Sequence, residues 1–165
     1  FLDLVPYVIP AAWFMMLYPA YIIASWLVQP EVNRRKANLQ AAALVGAILV
    51  SWDLVMEPLM TSRQLWVWDQ PGIYFGIPLQ NFAGWWLTGF AIVLAYVWMG
   101  GRLERRDWSS DSWMAVLLAV TFVGNSLDSL IRGLYLPPLL ATLAMLAWLY
   151  LFWRAKPALN QTAGG

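Results

Sequence analysis

Residues 39–60 read LQAAALVGAILVSWDLVMEPLM, and this stretch decides how the chain folds. It is apolar for long enough to cross a hydrocarbon core of about 30 Å as a helix. Basic residues close it on both sides: Arg34, Arg35 and Lys36 before it, Arg63 after it. Yet it carries two acids, Asp53 and Glu57, four residues apart and so on one helical face. A charged residue at the centre of a membrane helix costs roughly 2.5–3.5 kcal/mol on insertion scales, so such a pair faces protein or water rather than lipid.

Outward from this run the pattern repeats. The chain has 165 residues, of which 61% are hydrophobic and 12% charged, a balance suited to lipid rather than water. Apolar stretches predict spans at about 4–29, 39–60, 82–99, 113–135 and 139–153. The expected fold class is therefore all-α, a polytopic transmembrane bundle of about five helices. One transmembrane domain over residues 1–158 and a flexible tail at 159–165 complete the expected organisation. Pro6, Pro10 and Pro19 each remove a backbone donor from the first span and predict kinks. Gly100-Gly101 stops the third, Ser109, Ser110 and Asp111 offer N-caps for the fourth, and Pro137-Pro138 breaks the chain before the fifth. Residues 61–81 hold Trp66, Trp68, Pro71, Gly72, Tyr74, Phe75, Gly76 and Pro78, too broken to span. This loop is expected at the headgroup level or folded back over the helix ends. The opening residue is Phe1, with neither an initiator Met nor a basic signal-peptide segment, so the chain is expected to lack its true N-terminus.

Orientation follows from the basic residues. With five spans, Arg34, Arg35, Lys36, Arg102, Arg105, Arg106, Arg154 and Lys156 share one side, leaving Arg63 and Arg132 for the other. The positive-inside rule then puts the C-terminus in the cytoplasm and Phe1 outside, in the cell (inner) membrane. No basic tract exists for nucleic acid. The sequence contains neither His nor Cys. It therefore lacks the commonest ligands of zinc, non-haem iron and haem, and any thiol nucleophile. No metal site and no cofactor is expected, and chemistry falls to carboxylates, amides, hydroxyls and aromatics.

The fourth span supplies a second polar stripe, Thr121, Asn125, Asp128 and Arg132. From the expected inner helix ends, Asp53 and Asp128 lie about 21 and 22 Å along their helices, a shared depth. Simpler readings exist. Asp128 and Arg132 fit an ordinary i, i+4 ion pair, and Asp53 and Glu57 fit polar contacts between helices. Trp66, Trp68, Trp108 and Trp113 suit the interfacial belt, whereas Trp52, Trp85 and Trp86 fall nearer the carboxylates. For a lipid-soluble alkene, a carboxyl group in low dielectric can keep its proton and act as a general acid. A second carboxylate and aromatic faces would steady the carbocation, and water would complete a tertiary alcohol.

Two runs add a resemblance: Asp53-Leu-Val-Met-Glu57-Pro58, and Trp66-Val-Trp68 through Pro71-Gly72-Ile-Tyr74-Phe75-Gly76-Ile-Pro78-Leu-Gln-Asn81-Phe82-Ala-Gly84-Trp85. Together they resemble the membrane carotenoid hydratase family, of the gamma-carotene and bisanhydrobacterioruberin hydratase type. About a third of the chain carries the likeness closely, and members are usually longer, with more helices. The resemblance implies cofactor-free addition of water across the 1,2 double bond of a linear psi end group. It implies Asp53, Glu57 and Asn81 as site residues; depth alone adds Asp128 as a third acid and Arg132 beside it. Asn125, Trp52, Tyr74, Trp85 and Trp86 are expected to bind or support the substrate. The expected partners are a carotenoid or other lipophilic polyene and the bilayer, with subunits of a membrane pigment–protein complex as a further possibility. Three alternatives stay open: a non-catalytic carotenoid-binding or scaffold subunit, a carotenoid end-group cyclase, and a transporter or proton relay.

Overall fold

A computed structural model describes residues 8–29, 32–103, 105 and 107–156. Five helices stand where hydropathy places five spans: α1 (Val8–Leu27), α2 (Arg34–Ser62), α3 (Leu79–Trp98), α4 (Trp108–Ile131) and α5 (Leu136–Arg154). Each is long and apolar enough to cross a membrane. Among the described residues there is no strand, only two isolated bridges within the α2–α3 loop. The expected start of the first span at residue 4, Pro6 and the tail at 159–165 lie outside the described residues.

The helix ends depart from hydropathy because caps set them. α2 begins at Arg34 rather than near residue 39, since the Asn33 side chain accepts from the Lys36 N–H and starts the helix before the apolar run. α4 begins at Trp108: its cap is Asp107, whose carboxylate accepts from the Ser110 N–H at 2.8 Å, and not Ser109, Ser110 or Asp111. Asp107 is exposed, and hydrogen bonding from the Ser110 hydroxyl and then its N–H holds the carboxyl below the usual range. Gly133, at φ +78°, ends α4 short of Tyr135, with Leu134 N–H bonding Ser129 O and Gly133 N–H bonding Leu130 O. The same paired closure occurs at Gly100 and Gly101, as expected for the end of α3. Pro137 and Pro138 fall inside the first turn of α5, where an amide N–H has no helical partner to lose. Pro10 likewise sits in the first turn of α1, leaving Pro19 as its interior proline.

α2 is the central helix and touches all four others. Small residues let its neighbours close in. A Cβ on Gly46 would come within 2.6 Å of the Trp86 carbonyl, and one on Gly89 within 3.3 Å of Gly46 Cα, so α2 and α3 meet nearly backbone to backbone. α5 is tied to α2 by the Trp148 indole N–H, which donates to Ser51 Oγ at 2.9 Å.

The rim carrying Arg34, Arg35, Lys36 and Arg102 is fixed by Arg105. Its guanidinium donates to the Ser25 and Val28 carbonyls at the end of α1 and stacks over Trp26. Trp26 in turn donates to buried Asp111 and meets Trp108 edge-on. Trp108, assigned above to the interfacial belt, also stacks on the fully buried Phe152 and packs against the core. Trp113, by contrast, is exposed.

Candidate active site

The acid pair sits where α2 is locally short of a hydrogen bond. Pro58 has no N–H, so the Leu54 carbonyl one turn earlier loses its helical donor. The α2–α3 loop replaces it: the Tyr74 hydroxyl donates to Leu54 O at 2.8 Å. Tyr74 is placed by a tight fold in which Gly72 N–H bonds Gly76 O and Ile77 N–H bonds Tyr74 O. Phe75 and Gly76 take positive φ there, and a Cβ on Gly72 would lie 2.1 Å from Ile77 O. Burial, and then the proximity of Asp53, push the Tyr74 phenol up to about 12, so it remains a donor across the physiological range. The loop thus folds back over the end of α2, anchored by Ile77, which is fully buried.

Asp53 is 0% exposed and Glu57 2%. Asp53 Oδ2 accepts from the Asn81 side-chain amide at 3.0 Å, while Oδ1 has no hydrogen-bond partner among the described residues. Asn81 is delivered by the first turn of α3, its own N–H bonded to Pro78 O. Glu57 Oε1 accepts from the Trp66 indole at 3.0 Å. The Trp68 indole lies in electrostatic reach of Glu57 without closing a hydrogen bond. Trp52 is buried beside the pair in sequence, and among the described residues its N–H also lacks a partner. An acid buried this fully, with one oxygen unpartnered among the described residues, is costly to keep in a membrane helix, which makes it a candidate functional group.

The remaining expected residues divide. Tyr74 joins the site through Leu54 and meets Phe82 edge-on. Trp85 stacks on Trp13 of α1 at 4.3 Å, and Trp86 stacks on Phe90 against Gly46. On α4 the stripe bonds its own backbone: Thr121 Oγ1 donates to Leu118 O and Asn125 Nδ2 to Thr121 O. Asp128 pairs with Arg63, the C-cap of α2, and with Arg132. Arg63 lies ten positions beyond Asp53, about 15 Å of helix rise, so Asp128 is held at the rim above the buried pair. Among the described residues, no hydrogen bond or ion pair joins it to Asp53 or Glu57.

Trp66, read above as a belt residue, is the donor to Glu57, and Arg63 is the partner of Asp128. Neither has a periodic signal. The turn after α2 places both, with Gln64 at φ +54° reversing the chain.

Replacing Tyr74 with Phe removes one hydroxyl and leaves Leu54 O unmet, a loss of about 1–3 kcal/mol. Hydrogen exchange of residues 70–78 is expected to quicken while the helices keep their protection. Unchanged exchange would mean that the hydroxyl does not hold the loop.

Fold and site define a polytopic helical membrane protein with a buried acid pair sealed by an aromatic loop. The chain belongs to the carotenoid biosynthesis protein family, whose model matches residues 1–148. It is similar to a bisanhydrobacterioruberin hydratase of Haloarcula japonica, at 32% identity over 92 residues. That alignment covers 56% of this chain and 30% of the relative. No solved structure matches significantly.

Proposed function

We propose that this chain is a cofactor-independent hydratase that adds water to the terminal double bond of a linear carotenoid inside the membrane. The observation that carries the reading is Asp53, a fully buried carboxyl group with one oxygen held by Asn81 and the other unpartnered among the described residues, one helical turn from Glu57. The family and the hydratase relative support the substrate class and the reaction.

In this mechanism Asp53 Oδ1 gives a proton to C2 of the psi end group, and the π electrons form the new C–H bond. The tertiary cation left at C1 is steadied by the carboxylates and by ring faces, Tyr74 among them. Water adds to C1, and Glu57 takes its proton, leaving a tertiary alcohol. One proton enters from Asp53 and one leaves to Glu57; transfer between the two acids restores the pair, so the net change is one water added. Asn81 fixes the Asp53 carboxyl, and Trp66 fixes Glu57. Asp128, Arg63 and Arg132 form a charged rim above the pair. By the positive-inside rule the Arg34 rim faces the cytoplasm, which puts the acid pair toward the outer half of the bilayer and the end of α5 inside.

The test is expression in a host that makes lycopene, with pigments separated by liquid chromatography and weighed by mass spectrometry. Products heavier by one water are expected with this chain. Lycopene that co-purifies unchanged would instead assign a binding subunit, and an isomer of unchanged mass with a ring would assign a cyclase.

A further inference from the structure

Toward the rim of Arg34 and Arg102 from the acid pair, α1 and α3 leave a side-open groove of about 310 Å³. Phe14, Leu17, Tyr18 and Tyr21 line it from one stripe of α1, and Ile92 and Tyr96 from α3. Three α1 rings form a ladder: Phe14 and Tyr18 are 13° from parallel, and Tyr18 and Tyr21 are 23° from parallel. Tyr21 closes the far end, meeting Tyr96 edge-on and donating to the Arg102 carbonyl.

The groove and the acid site share one stripe of α3. On α3, Asn81, Trp85, Ile92 and Tyr96 are spaced by four, seven and four residues, which keeps them on one stripe. Asn81 holds Asp53 at one end of that stripe and Tyr96 meets Tyr21 at the other, about 22 Å away along the helix. Between them the stacked Trp13 and Trp85 form a shoulder.

We propose that this groove seats the polyene chain of a linear carotenoid whose end group lies at Asp53 and Asn81. The assignment rests on the hydration reading and gives it a binding site. A flat conjugated chain gains contact with the near-parallel ring faces of the ladder, which a saturated acyl tail matches less well. The open side, where Phe14 is 65% exposed, admits a lipid-soluble molecule directly from the bilayer.

The test uses the whole chain in phosphatidylcholine nanodiscs, with lycopene binding read from quenching of tryptophan fluorescence and from its visible spectrum. Ile92→Trp fills the groove and is expected to weaken binding about tenfold, the effect of one well-placed contact. Val120→Trp, on an exposed face of α4, is expected to leave binding unchanged, and Asp53→Asn to bind normally without hydrating. Circular dichroism of each variant reports its fold. Unchanged binding by Ile92→Trp, or equal loss by Val120→Trp, overturns the groove. So does phospholipid that lycopene fails to displace, or a dimer that Ile92→Trp dissociates without altering lycopene affinity. Binding that follows the groove while no variant or parent hydrates lycopene would overturn the hydration reading alone.

Discussion

Asp53→Asn is expected to reduce carotenoid hydration by about 10²–10⁴-fold, the range for loss of a positioned proton donor, while the protein stays folded in the membrane. The substitution keeps the shape. An amide oxygen at position 53 still accepts from Asn81, and the cost of holding an ionisable group at 0% exposure disappears. Stability is therefore expected to hold or rise as activity falls. This split separates two roles that structure alone leaves together: a carboxyl kept as polar glue between α2 and α3 would lose stability on substitution and keep turnover. Glu57→Gln tests the partner by the same logic, because a glutamine oxygen still accepts from Trp66. Product analysis beside thermal unfolding in detergent reads both quantities, and a variant retaining a tenth or more of the activity would remove Asp53 from the mechanism.

Gly46→Leu is expected to carry the largest stability penalty, about 3 kcal/mol, at the upper end for overpacking. The new side chain would meet the Trp86 carbonyl and indole where α2 and α3 approach most closely. Backbone cannot rotate aside as a side chain can, so the helices must separate. That movement would also pull Asn81, on the same α3, from Asp53. Gly84→Leu is the control, because a Cβ there meets nothing within 4 Å. Equal unfolding temperatures for the two variants would show that the helix approach does not depend on glycine.

Much of this arrangement is legible in the sequence, for identifiable reasons. The five spans follow from apolar length, and the Asp53–Glu57 pair from a spacing that puts two costly groups on one face of a membrane helix. Asn81 came from a family motif rather than from periodicity; it joins Asp53 from 28 residues away. Helix ends were poorly legible, because Asp107 and Asn33 cap through local hydrogen bonds that hydropathy does not weigh. Asp53 and Asp128 lie at similar rises from the inner ends of their helices. α2 continues nine residues past Asp53 and α4 only three past Asp128, so equal distances from one rim do not mean equal distances from the other. Trp66 was obscured by its composition: in a loop crowded with aromatics, nothing marks the one indole that turns inward to a carboxylate.

The hydroxyl of Tyr74 on the Leu54 carbonyl has a consequence for biogenesis. When α2 is first synthesised its Leu54 carbonyl is unmet, because Pro58 has no N–H, and the groups that satisfy it and the two acids come later, in the loop and in the first turn of α3. The α2–α3 hairpin is therefore the smallest segment of the chain in which the Leu54 carbonyl and both acids find hydrogen-bond donors.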